Sequence, residues 1–79
     1  MGARPQHDLV YRKLCRLLRQ WRTDAGLTQR DLAAILKKPH TYVHKTETGE
    51  RRIDPVELIR WCRAVGIEPT DAIKNVETR

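Results

Sequence analysis

The chain has 79 residues, 33% of them charged, and sixteen Lys and Arg against ten Asp and Glu give a formal net charge of +6. A chain of this length buries roughly 60% of its unfolded surface, enough for one small domain and too little for a second. Residues 1–63 hold fourteen basic and seven acidic side chains and residues 64–79 hold two and three, a concentration that favours a polyanionic partner over a merely solvated surface.

No apolar run approaches the length of a membrane span and nothing resembles a secretory signal, so a cytoplasmic chain is expected. The two cysteines, Cys15 and Cys62, each fall inside an apolar helical pattern with no Cys-x-x-Cys pair. That reads as buried, reduced thiols, with a disulfide between them left open. Residues 1–7, beginning MGARPQ, read as a flexible arm, residues 8–76 as the folded domain and residues 77–79 as a frayed end.

From about Asp8 to Asp24, Val10, Leu14, Leu17, Leu18 and Trp21 recur at three- and four-residue spacing, and Asp8 is placed to cap the start. Arg12, Arg16 and Arg19 make a second stripe on another face. It reads either as a solvated helix face or as a phosphate-contacting edge. Arg22, in the last turn, is within reach of a carboxylate on the helices that follow, and Gly26 ends the element.

A second helix begins at Thr28, with Asp31 three residues later to complete the cap, and Leu32, Ile35 and Leu36 form its inner face beside the small Ala33. A third runs from Pro39, as its first residue, to about Thr48, with Gly49 as a left-handed stop. Its apolar content is little more than Val43 and part of Tyr42. His40, Thr41, His44, Lys45 and Thr48 bear polar or charged groups, so this is a surface helix whose outer face meets a polar partner. Asp54-Pro55-Val56-Glu57 then spells cap, first-position proline and third-position acid. Leu58, Ile59, Cys62 and Val65 supply that fourth helix's inner stripe, with Trp61 nearby, and Gly66 ends it. Ile67 is placed to plug the core. A fifth, short helix opens at Pro69 and runs to about Asn75, with Ala72, Ile73 and Val76 as its apolar contacts.

Five helices without a strand make an all-α domain. The sequence closely resembles the phage repressor and Cro-like (Xre-type) helix-turn-helix family. The residues that carry the likeness are Arg22, Gly26-Leu27-Thr28-Gln29, Leu32-Ala33, Glu47, Gly49 and the apolar run from Leu58 to Gly66, across roughly residues 9–75. The resemblance implies a compact, five-helix, lambda-repressor-like domain with its helix-turn-helix at helices 2 and 3, and an ion pair between Arg22 and Glu47. Two departures stand out. Lys37-Lys38 occupies a turn that usually carries glycine, so Lys37 has to take a backbone conformation that glycine adopts more easily. Thr46 replaces an apolar residue, which thins the packing beneath helix 3.

In that family helix 3 enters the major groove of DNA. The resemblance assigns base reading to His40, Thr41, His44 and Lys45, and their donors suit purine acceptors or, for Thr41, a thymine methyl. Gln29, Lys37, Lys38, Tyr42, Arg51 and Arg52 are expected on phosphates, where they set orientation and affinity rather than sequence. The implied function is a sequence-specific regulator, a repressor that occupies a double-stranded DNA operator as a homodimer. Its dimer contacts would come from helix 5, the tail or the outer side of helix 4, with Trp61 among them if it is not core. The alternative is a protein-interaction module, an antirepressor or accessory subunit, on the same fold.

An enzyme is not expected, since no nucleophile pattern, glycine-rich phosphate loop or paired-acid cleft occurs. Neither a cofactor nor a small-molecule ligand is indicated. His40 and His44 share a helical face with Glu47 one turn further, but Glu47 is better explained by Arg22 and no glutamate lies between the histidines, so no metal site is expected.

Overall fold

The computed structural model describes residues 8–78, which form α1 (Leu9–Asp24), α2 (Gln29–Leu36), α3 (His40–Thr48), α4 (Pro55–Val65) and α5 (Pro69–Glu77), with no strand among the described residues. The all-α, five-helix architecture is the expected one. The arm assigned to residues 1–7 and the last residue of the tail lie outside the described residues.

Local chemistry sets three of the helix starts. The Asp8 carboxylate accepts the Val10 and Tyr11 amides at 2.9 and 3.1 Å. Thr28 and Asp31 satisfy each other's amides at 3.0 and 2.9 Å, and Asp54 and Glu57 do the same ahead of α4 at 2.7 and 3.0 Å. Gly49 closes α3 at φ 84, a conformation that costs a side chain-bearing residue free energy. Pro39 departs from expectation. It precedes α3 as an extended N-cap rather than opening it, because its own φ and ψ of −63 and 151 are those of the incoming chain. With no side-chain oxygen it caps only through its carbonyl, which accepts the Tyr42 amide at 3.0 Å.

The core is built around Trp61 and Leu18, both fully buried, with the indole N–H donating to the Leu18 carbonyl at 3.3 Å. Trp61 is therefore unavailable to a dimer contact. Leu32, Val43, Cys62 and Ala72 complete the centre, so that every helix contributes to it. Cys15 and Cys62 are buried free thiols and form no disulfide. Burial of an apolar side chain on this scale is worth about 1.5–3 kcal/mol.

Four residues expected inside are exposed: Val10 by 59%, Ile35 by 52%, Ile59 by 42% and Ile73 by 51%. In α1 the inner face is set by Tyr11, Cys15, Leu18 and Arg22, at i, i+4, i+7 and i+11, which turns Val10 outward. The α4 helix buries Leu58, Trp61, Cys62 and Val65, and centring on Trp61 swings Ile59 out. In the short helices α2 and α5 only a narrow strip is covered, which leaves Ile35 and Ile73 outside it. The fifth helix is also longer than expected. It continues through Glu77, and Thr78 caps it while its carbonyl accepts the Lys13 ammonium. Residue 77 is thus helical, and the Thr78 carbonyl meets α1.

Candidate nucleic-acid interface

The α3 helix is nine residues long and buries only Val43 and Thr46. At 3.6 residues per turn, His40, His44, Thr48, Thr41 and Lys45 occupy an arc of roughly 140°. All five are exposed. Thr46 does not loosen the packing beneath them, because it is fully buried and its hydroxyl donates to the Tyr42 carbonyl at 2.6 Å.

A buried cluster holds this helix in place. Glu47 accepts Arg22 Nε at 2.6 Å, Arg22 Nη2 at 3.1 Å and Gln29 Nε2 at 3.0 Å, while Arg22 Nη1 donates to the Leu27 carbonyl at 2.8 Å. The ion-paired side chains are 8% and 3% exposed. One carboxylate therefore fixes α3 to both α1 and the start of α2. Gln29, expected on a phosphate, has one amide hydrogen committed to Glu47 and one remaining.

The two turns around α3 carry the other basic candidates. Lys37 adopts the left-handed conformation at φ 58 and ψ 46, as its place in a usually glycine-bearing turn requires, and both Lys37 and Lys38 are exposed. Lys38 Nζ lies 5.4 Å from the centre of the Tyr42 ring. Arg51 packs on the same ring at 4.6 Å and makes two parallel hydrogen bonds to Glu57, at 3.1 and 3.0 Å. Its charge is thereby largely matched within the protein. Arg52 stacks on Tyr11 at 4.1 Å, is exposed, and donates no hydrogen bond among the described residues.

Sequence reasoning missed Tyr11. Its hydroxyl donates to the Arg51 carbonyl at 3.3 Å and accepts the Ile53 amide at 3.0 Å, clamping the α3–α4 loop to α1. The only sequence signal was its i, i+4, i+7 relation to Cys15 and Leu18. Burial pushes the Tyr11 and Tyr42 hydroxyls above their ordinary range.

Among the described residues no three His, Cys, Asp or Glu side chains gather around a common point that would hold a metal ion, and no helix is long and apolar enough to cross a membrane.

The helix-turn-helix domain family matches residues 13–73. A solved structure of an XRE-family like protein from Pseudomonas syringae pv. tomato str. DC3000 is 41% identical, with a TM-score of 0.85 over 90% of this chain and 87% of that one. This chain belongs to the Xre-type helix-turn-helix DNA-binding family. Two structures of the clp gene regulator ClgR from Corynebacterium glutamicum share the Xre-type fold at 27% identity and a TM-score of 0.79. They cover 89% and 90% of this chain, and 74% and 92% of their own. No curated protein matches the sequence. In the Xre-type frame α2 and α3 are the helix-turn-helix pair, and the cluster at Glu47 joins that pair to α1.

Proposed function

We propose that this protein is a sequence-specific, double-stranded DNA-binding transcriptional regulator of the cytoplasm, and that it represses by occupying an operator. The observation that carries this reading is the exposed polar arc of α3, anchored from behind by Glu47. A helix with little apolar surface, held rigidly and presenting unsatisfied donors, suits a partner rich in acceptors, and the edges of base pairs in the major groove are such a partner. His40, Thr41, His44 and Lys45 read bases. Phosphates fall to Lys37, Lys38, Arg52, the Tyr42 hydroxyl, the remaining amide hydrogen of Gln29 and the guanidinium hydrogens of Arg51 that Glu57 leaves free.

The protein acts as a homodimer in this reading, with two α3 copies about 34 Å apart on a near-palindromic site. An apolar cleft of about 430 Å³ between α4 and α5, lined by Leu58, Ile59 and Ile73, supports that assignment. Its lining holds a single charged side chain, Lys74, so two copies would meet there on apolar surface.

Selection of bound duplexes from a random pool tests the whole reading. An enriched inverted repeat is the expected result, and a folded protein that enriches nothing would favour the interaction-module alternative. On the selected duplex, Lys45→Ala is expected to weaken binding by about 1–3 kcal/mol and relax preference at one position, whereas Arg52→Ala weakens all sequences alike. Equal small losses from both on every duplex would contradict base reading by Lys45.

A further inference from the structure

We propose that Arg12, Arg16 and Arg19 of α1 form a track for the phosphates of one DNA strand, alongside the arc of α3. This inference rests on the DNA-binding reading above and extends its footprint to a third helix.

Two clefts separate α1 from the C-terminal half of α3. One, of about 440 Å³, has Arg12 and Arg16 on its α1 wall and Thr48 and Gly49 opposite. The other, of about 360 Å³, has Arg19 on the α1 wall and His44 opposite, with Gln29 at its edge. Both are lined by Glu47 and Thr48, so they adjoin and form one groove. His44 belongs to the reading arc and Gln29 to the start of α2, which places the groove at the margin of the surface assigned to the duplex.

The charge in this groove is unbalanced. Arg12, Arg16 and Arg19 are exposed, and none makes a salt bridge or donates a side-chain hydrogen bond among the described residues. Glu47, the acid on the groove floor, is already taken by Arg22 and Gln29. A helix face built only for solvent usually intersperses acids at i+3 or i+4; here Asp8, four residues before Arg12, is taken by the Val10 and Tyr11 amides, and Asp24, at the far end, accepts Gln20 Nε2. Nor are the arginines closing α3, whose Lys45 carbonyl accepts the Arg51 amide and the Thr48 hydroxyl at 3.2 and 3.1 Å.

Spacing fits as well. Residues at i, i+4 and i+7 span about 10 Å of helix axis. One strand of a duplex presents a phosphate about every 3.4 Å along its axis, so the stripe is long enough for about two or three of them.

The test uses the full chain carrying Arg12→Gln, Arg16→Gln and Arg19→Gln together, with affinity for the selected duplex and for a scrambled one followed from 50 to 200 mM salt. Both affinities are expected to fall together, on the order of 10- to 100-fold at the lowest salt, and the slope of log affinity against log salt to shrink by about 2 to 3. The triple Arg→Lys variant is expected to restore the slope, because phosphate neutralisation needs charge and not guanidinium geometry. Should the triple Gln variant not fold, Arg19→Gln alone is expected to reduce the slope by about 1. An unchanged slope overturns the proposal and leaves the stripe to solvent or to an acidic protein. A loss confined to the selected duplex overturns it too, since phosphate contacts are blind to sequence. If the unaltered protein enriches a sequence while the variants keep its slope, only the α1 track falls. If the unaltered protein binds no duplex, both readings fall.

Discussion

Glu47 accepts three hydrogen bonds from two elements other than its own. Removing it strands a guanidinium that is 8% exposed, and breaking a buried pair on one side costs about 3–5 kcal/mol. Glu47→Ala is expected to lower the melting temperature by on the order of 10 °C or more, given about 4–8 °C per kcal/mol for a domain this size. Thermal unfolding followed by circular dichroism checks it, and an unchanged melting point would mean the pair is energetically idle. Arg22 and Glu47 were legible from the family resemblance. The third partner, Gln29, is not legible as one, because the carboxylate it reaches lies eighteen positions away. Tyr11 was missed for the same reason, since its two partners in the α3–α4 loop are forty and forty-two residues distant.

At the scale of elements, the α2–α3 turn shows a sequence departure absorbed without loss of the motif. Lys37 sits at φ 58, its amide donating to the Ala34 carbonyl at 3.2 Å, and Lys38 donates to Ala33 at 2.9 Å. The turn closes as a glycine turn would, at the cost of a β-carbon in the left-handed region. Lys37→Gly relieves that strain but loosens the unfolded chain, so the expected net gain is small, about 0.5 kcal/mol. The same variant is expected to lower the salt slope of DNA binding by about 1, for one lost phosphate contact. Paired melting and salt-titration measurements separate the two effects, and a destabilised Lys37→Gly would show that Lys37 contributes packing which outweighs its strain.

At the scale of the whole molecule, the folded state shifts titrating groups in two directions. The Thr28 amide holds the Asp31 carboxyl below its ordinary value of 3.8, and the Arg51 guanidinium holds Glu57 below 4.5. Depressed acids stabilise the fold above their unfolded values, and that contribution is lost as the pH falls through the folded ones. Burial raises the Cys15 and Cys62 thiols above 9.0, so the folded state favours their neutral forms and that advantage is lost at still higher pH. These groups together predict a melting temperature that is level between about pH 5 and pH 9 and declines on either side. Melting curves from pH 2 to pH 11 test this. Glu57→Gln is expected to flatten part of the acid limb, and an acid limb unaffected by that change would remove Glu57 from the account.

Which segments are helices, where the capped ones start, where glycine stops them and which helix has too little apolar surface to be core can all be read along the chain. Those properties depend on residues a few positions apart, as in Thr28 with Asp31 and Asp54 with Glu57, so they are written in short windows of the chain. Which side of each helix is covered depends instead on how the helices pack. An apolar stripe is wider than the strip that neighbouring helices can bury, so Val10, Ile35, Ile59 and Ile73 face outward while Tyr11 and Arg22 are buried. Long-range pairing also decided which cations are matched, Arg22 by Glu47 and Arg51 by Glu57, while Arg12, Arg16 and Arg19 line an open groove beside α3. That distinction separates charges that hold the fold from charges left for a partner, and it rests on the distance between side chains that only packing brings together.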